Sequence, residues 1–298
     1  MENKLVDIII IGAGPAGMSA AIYAARAGKS VALIDKNGFG GNIALSPKVE
    51  NIPGFESISG IDFATNMYNQ VMATGNVEHF ISEAKFVEYY KGLVKVTVDD
   101  DLICGLSVIF ATGAKHKELQ LNTKNIYYCV TCDGPMYKNK NVMVVGSGNT
   151  GATYALELAT YCKNVYLCDI TPNMCCEKTL QNRIYEVKNI FWKPSSTVAD
   201  VTNKDDKLTS VTMSSGEVIK CNAIFGAIGL IPQTDLVKRF FNLDDKKYAI
   251  SNEHLNSLVP NIFIAGDCRK NNLKQVVTAC SEGAEAAVEA IKYINSLK

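Results

Sequence analysis

Several absences narrow the possibilities before any motif is considered. Charge of one sign is missing: 30 Lys and Arg balance 30 Asp and Glu across 298 residues, giving a formal net charge of zero. No bulk electrostatic pull toward nucleic acid or a membrane surface follows from such a balance. No secretory leader is expected either, since Glu2, Lys4 and Asp7 crowd the first residues. The 10 cysteines are irregularly spaced and form no secreted disulfide framework, so a reducing cytoplasm is the expected compartment. An unbroken apolar run is also absent. Residues 8–25 are uncharged and mostly apolar, but Gly12, Gly14, Pro15 and Gly17 interrupt them. That pattern predicts a buried strand, a tight turn and a small-residue helix rather than a membrane span. Low-complexity segments and long linkers are lacking too, and the length suits two modest domains or one large one.

Against these absences stand two glycine-rich turns. Val6 to Ile11 reads as a strand, Ala16 to Ala27 as a helix and Val31 to Ile34 as a second strand, with Gly12-Ala13-Gly14-Pro15-Ala16-Gly17 between the first two. Asp35 ends the second strand. This is the dinucleotide-binding βαβ pattern: the glycines allow the sharp turn, the helix N-terminus faces a pyrophosphate, and the acid accepts a hydrogen bond from a ribose hydroxyl. The pattern repeats, with a strand at Val142 to Val145, the turn Gly146-Ser147-Gly148-Asn149-Thr150-Gly151, a helix at Ala152 to Tyr161, and a strand at Val165 to Cys168 ended by Asp169. Further strands are expected at Leu93 to Val98, Leu106 to Phe110 and Asn261 to Ala265, and a C-terminal helix carries Val276, Cys280, Ala284, Ala287, Ile291 and Ile294 on one face. The fold class expected is α/β, with two Rossmann-like nucleotide-binding domains, the second inserted in the first.

Cys129-Val130-Thr131-Cys132 lies just before the second turn. Two cysteines separated by two residues can close a small disulfide whose redox balance follows the thiolate pKa of each partner. The rival chemistry is half of a zinc site, which needs a second pair of matching spacing. Cys175 and Cys176 are adjacent, and Cys104, Cys162, Cys168, Cys221, Cys268 and Cys280 are isolated. No metal site is therefore expected, and the isolated cysteines suit buried packing.

Taken together, these segments resemble the low-molecular-weight thioredoxin reductase family along nearly the whole chain. The likeness is carried by Ile11 to Gly17, Gly40-Gly41-Asn42, Glu50-Asn51-Ile52-Pro53-Gly54-Phe55, Ala111-Thr112-Gly113, Cys129 to Gly134, Ile228 to Pro232, and Gly266-Asp267 followed by Lys274-Gln275-Val276. The resemblance implies an FAD domain built from both chain ends (1–114 and 245–298) and a central redox-disulfide domain (115–244). It also implies a homodimer whose domains rotate between reaction steps. FAD would lie against Gly12, Gly14, Pro15, Ala16, Asp35, Lys36, Gly41, Asn42 and Asn51, with backbone near Ala84 at the adenine and Ala111, Thr112 and Gly113 nearby. Gly266 and Asp267 would meet the ribityl chain, and Lys274, Gln275 and Val276 the flavin ring. Cys132 would be the flavin-proximal cysteine, Cys129 the one that attacks the disulfide of thioredoxin, and Asp133 the proton donor to the leaving thiolate.

The chain departs from that family where NADPH should be gripped. Classical members follow the second strand with His-Arg-Arg-x-x-x-Arg; here Asp169, Ile170, Thr171 and Cys175 hold the corresponding positions. Each lost charged hydrogen bond is worth about 1.5–3 kcal/mol, so NADPH is not the expected donor. The second turn is also altered, and the approach from Lys115 to Tyr128 is shortened. Two donors remain. NADH would use the Gly146–Gly151 turn and Asp169. Alternatively, reduced ferredoxin would feed the flavin directly, as in the ferredoxin-dependent flavin thioredoxin reductases, and this is the preferred reading. Plant-type ferredoxins near about −400 mV lie roughly 6 kcal/mol uphill of thioredoxin near about −270 mV for two electrons. A basic face would serve such a partner, with Lys36, Lys48, Lys115, Lys117, Arg269, Lys270 and Lys274 as candidates. A flavin dithiol oxidase or a redox sensor is the reading from another class.

Overall fold

The computed structural model describes residues 4–46, 48–271 and 273–297. The chain divides into two units: Met1–Ala44, Glu50–Lys115 and Ile231–Lys298 form the first, and Leu45–Val49 with His116–Leu230 the second.

The first unit opens with β1 (Lys4–Ile11), α1 (Pro15–Arg26), β2 (Val31–Ile34), α2 (Gly60–Met72) and β3 (Val77–Phe80). β1 pairs in parallel with β2, and β2 with β3. Residues 8–25, long enough to span a bilayer, are therefore strand, turn and helix; among the described residues no helix is long and apolar enough to cross a membrane. Then β4 (Ala84–Tyr90), β5 (Leu93–Val98) and β6 (Asp101–Phe110) return as an antiparallel meander. The hairpin joining β4 to β5 turns on Lys91 and Gly92, both at positive φ, the conformation that a two-residue hairpin loop favours. β6 is long enough to pair with β1 along one side while sharing its other side between β5 and a later strand.

Isoleucines 8, 9 and 10 of β1 are all fully buried, as in a parallel strand covered on both faces. Alternation sends Ile8 and Ile10 into one core with α1, and Ile9 and Ile11 into another with Val96, Phe110, Val237 and Phe241. These last two residues explain why the second crossing falls at Leu230 rather than near Asp244. Residues 231–244 carry Val237 and Phe241, which fill the core of the first unit and belong to it.

The crossings run as short strands, β7 (Ala114–His116) outward and β16 (Leu230–Pro232) on return, and these two pair with each other. Between them the second unit contains β8 (Ile126–Tyr127), α3 (Val130–Asp133), β9 (Asn141–Val145), α4 (Asn149–Ala159), β10 (Asn164–Cys168), α5 (Lys178–Glu186) and β11 (Ile190–Lys193). With β15 (Ala223–Gly226) they make a parallel sheet ordered β11-β10-β9-β15-β8. A separate antiparallel sheet, β12 (Val198–Lys204), β13 (Lys207–Met213) and β14 (Val218–Lys220), buries Leu208, Val211 and Ile219 against one face. After the return come the ribbon β17 (Asn242–Leu243) and β18 (Ala249–Ile250), then β19 (Ile262–Ile264) on β6, then α6 (Val276–Ser296).

Candidate active site

Both glycine turns form as strand–turn–helix corners. Gly12 has φ +108°, and a Cβ there would sit 2.2 Å from the Ala111 carbonyl oxygen; Gly146 has φ +106° and would meet the Ala227 oxygen at 2.3 Å. Only glycine fits where the next strand approaches this closely. Gly14 and Gly148 instead face open space at the N-caps of α1 and α4, the place where a pyrophosphate is received. The helix α4 begins three residues before the expected Ala152, because Gly148 serves as its cap.

The acids behind the turns differ. In the first unit, the Ala13 amide donates to Asp35 Oδ2 at 2.8 Å and the Asn37 amide to Oδ1 at 2.8 Å. A carboxylate offers about four lone-pair sites, so Asp35 keeps acceptor capacity for a ribose hydroxyl. In the second unit, Ser147 donates to Asp169 Oδ2 through both its amide (2.7 Å) and its hydroxyl (2.8 Å). The Thr171 amide donates to Oδ1 at 3.0 Å, and the Thr171 hydroxyl is shared between Oδ1 at 3.0 Å and the Asn173 carbonyl at 2.8 Å. Burial alone would raise the Asp169 pKa, but these bonds outweigh it and hold the carboxyl below its usual range. The Cys175 amide donates to Ser147 Oγ, and Asn149 and Glu177 bond each other through side chain and backbone. The segment after β10 is thus laced to the turn, with two acids at the start of α4. Ser147 and Thr171 escaped sequence reading; a hydroxyl two places after the strand-ending acid and another inside the turn were the available signal.

Of the other flavin-site candidates, Gly41 and Gly266 lie against the first turn. A Cβ on Gly41 would lie 3.3 Å from the Gly14 Cα, and one on Gly266 2.9 Å from the Ala16 Cβ. The Asn42 amide donates to the Ala114 carbonyl, and Asn51 to Gln275 at the cap of α6. Lys36 pairs with Glu83, next to Ala84 at the head of β4. Gly113 has φ +63°, and the Thr112 hydroxyl donates to the Gln233 carbonyl. Val276 begins α6. Asp267 is half-buried, and burial pushes its carboxyl up. Among the described residues no hydrogen bond ends on its carboxylate oxygens, which suits an acceptor for ribityl hydroxyls. Lys274 donates to the backbone oxygens of Asp267 and Arg269 and stands 4.2 Å over the Tyr248 ring.

These engagements bear on the basic face. Lys36, Arg269 and Lys274 are committed to partners inside their own unit, which leaves Lys115, Lys117 and Lys270 as the more available cations.

In the second unit Cys129 and Cys132 are joined as a disulfide. Cys129 caps α3, its sulfur accepting from the Cys132 amide at 3.1 Å, and it is 8% exposed, whereas Cys132 is exposed. The Tyr154 hydroxyl holds the Tyr128 carbonyl at 2.7 Å, fixing the approach to Cys129. Gly134 follows Asp133 and is buried, and a Cβ there would meet the Tyr161 hydroxyl at 2.2 Å, so a larger residue would have to displace that ring. Burial raises the Asp133 pKa, which favours a carboxyl able to hold a proton.

A nucleotide-type turn with a receptive acid in one unit and a closed dithiol in the other define the class: a flavin-linked disulfide oxidoreductase. Residues 6–283 match the family model for pyridine nucleotide-disulphide oxidoreductase, and the chain belongs to that family and, within it, to the thioredoxin reductases. It is 33% identical to the thioredoxin reductase of Listeria monocytogenes, over 100% of this chain and 96% of that protein. The crystal structure of T. acidophilum thioredoxin reductase matches with a TM-score of 0.92 at 33% identity, covering 99% of this chain and 100% of that one. A ferredoxin-flavin thioredoxin reductase from Clostridium acetobutylicum shares the fold, with a TM-score of 0.56 at 24% identity over 100% of this chain and 99% of that one. Members of the family are FAD flavoproteins, and this chain is one.

Proposed function

We propose that the protein carries electrons from reduced ferredoxin through FAD and the Cys129–Cys132 disulfide to thioredoxin. The observation that carries the choice of donor is Asp169, which accepts from the Ser147 amide and hydroxyl and from the Thr171 amide, while the Thr171 hydroxyl is shared between its Oδ1 and the Asn173 carbonyl. An acid so occupied has little left to offer a nicotinamide nucleotide's ribose. Asp169 and Glu177 together make the same corner hostile to a 2′-phosphate, and no arginine stands at 169–171 or 175 to reverse that. The likeness to the ferredoxin-flavin enzyme is one of fold and adds nothing to this choice.

FAD, held by the first turn, Asp35, Asp267 and the start of α6, would supply a two-electron reduction of the disulfide. The chain's own dithiol then does the exchange. The Cys129 thiolate attacks a sulfur of the thioredoxin disulfide, breaking that S–S bond and forming a mixed disulfide. Cys132 attacks Cys129, releases reduced thioredoxin and restores the internal bond. Asp133 gives its proton to the departing thiolate, a task suited to a carboxyl raised by burial. The reading includes a homodimer and a cytoplasmic site of action, which sedimentation and fractionation would check.

A second reading, NADH as donor, draws support from the backbone of the second turn, which keeps the glycine geometry of the first. Anaerobic mixing with NADPH, NADH and reduced ferredoxin in turn decides between them. Flavin bleaching by ferredoxin alone is the expected result; rapid bleaching by either nucleotide would remove the ferredoxin reading.

A further inference from the structure

Glu282 lies in the second turn of α6 and is the only buried carboxylate among the described residues, at 7% exposed. A carboxylate taken out of water must be repaid in hydrogen bonds and charge, and Glu282 has both. Its Oε2 accepts from the Gly266 amide at 2.8 Å. Its Oε1 accepts from Arg269 Nη2 at 2.7 Å and from Asn271 Nδ2 at 2.8 Å. All three partners belong to one short segment, residues 266–271, and that segment carries Asp267.

The surroundings restrict the segment further. Gly266 has φ +79° and packs on Ala16 in the first turn of α1. Gly283, next to Glu282, lets α6 close on the same place, since a Cβ there would fall 2.0 Å from the Ala16 carbonyl oxygen. Lys274 in turn holds the carbonyl oxygens of Asp267 and Arg269. The turn is thus gripped by its amide and side chains from Glu282 and by its carbonyls from Lys274. Asp267 stands between the grips.

We propose that Glu282 is the positioning residue for the flavin site: its buried carboxylate fixes the 266–271 turn so that Asp267 is presented to the ribityl chain of FAD and held in register with the start of α1. The proposal rests on the reading of Asp267 as a flavin-binding residue. It assigns Glu282 no contact with the cofactor.

The test uses the full-length protein, stripped of FAD and titrated with it, in the wild type, Glu282→Gln, Asp267→Asn and the exposed-helix control Glu285→Gln. Glutamine keeps the shape but loses the charge facing Arg269 and turns an amide toward either Gly266 or Arg269. E282Q is expected to weaken FAD binding by about tenfold or more, as loss of a charged buried hydrogen bond would, with E285Q unchanged. The melting temperature of the FAD-free protein should move less than that of the loaded protein, and amide exchange across 266–271 should quicken. Should E282Q fail to fold, Asn271→Ala removes one arm and is expected to weaken FAD several-fold. Unchanged FAD affinity in E282Q, or an equal drop in melting temperature with and without FAD, would overturn the positioning role. Unchanged affinity in D267N would overturn the reading of Asp267 beneath it, a distinguishable failure.

Discussion

At the first corner an alanine sits between the glycines and an asparagine stands two places past the acid; at the second these positions are Ser147 and Thr171. Backbone geometry is otherwise repeated bond for bond. The Gly12 amide reaches the Ile34 carbonyl at 2.7 Å as Gly146 reaches that of Cys168 at 2.8 Å, and the amide after each glycine reaches the acid. Two added hydroxyls convert an acid with room for a ligand into one that is part of the scaffold. Glycine spacing therefore reports a corner, and the acceptor balance at its acid reports whether the corner can hold a ribose.

The largest expected effect separates the two units. Cys132→Ser should abolish thioredoxin reduction while FAD stays bound at the first turn with its absorbance intact; turnover by this variant would reverse the assigned roles. Next come the paired substitutions Gly12→Ala and Gly146→Ala, each placing a Cβ against a carbonyl oxygen at a cost of about 3 kcal/mol. G12A should lose FAD, whereas G146A should lower the urea midpoint of the central unit and leave flavin content unchanged. Loss of FAD from both would erase the contrast drawn here.

A smaller effect would make the second acid resemble the first. Ser147→Ala with Thr171→Val leaves Asp169 its two amide bonds and should cost about 2 kcal/mol, near 1 kcal/mol for each hydroxyl bond. Because the Asp169 pKa is depressed in the folded chain, its contribution to stability is present above the unfolded value near about 3.9 and lost as pH falls through the folded value. In the double variant the folded value should rise toward the unfolded one, so stability should fall less steeply below about pH 3.9 during acid titration followed by circular dichroism. Any NADH-driven flavin bleaching it gains would show that the hydroxyls were what closed the corner. The smallest expected effect is at Lys270: substitution by Gln should slow ferredoxin-driven reduction several-fold at low ionic strength, with the difference fading in high salt. Equal rates at low salt would remove Lys270 from the docking face.

Much of this was readable beforehand. Glycine corners announce themselves because no other residue fits at Gly12 or Gly146, and the strands feeding them are continuous apolar runs. The disulfide pair was legible from spacing alone. What escaped lies in side chains whose roles depend on distant partners. Glu282 looks like one polar residue of a helix until residues 266–271 fold beneath it. Val237 and Phe241 offered no boundary signal, because membership of a core is decided by which sheet they meet. The antiparallel sheet at 198–220 likewise lacks a motif, being built of ordinary alternating strands.

The paired strands β7 and β16 bring the exit and the re-entry of the central unit side by side. A segment whose ends already meet can be removed and the gap bridged by a short glycine-containing link, as insertions at such places are tolerated. The dithiol unit is thus a cassette within a flavin scaffold. An excised scaffold, residues 1–115 joined to 231–298, should fold and hold FAD without any cysteine pair, and a relative's central unit should be transplantable at the same seam.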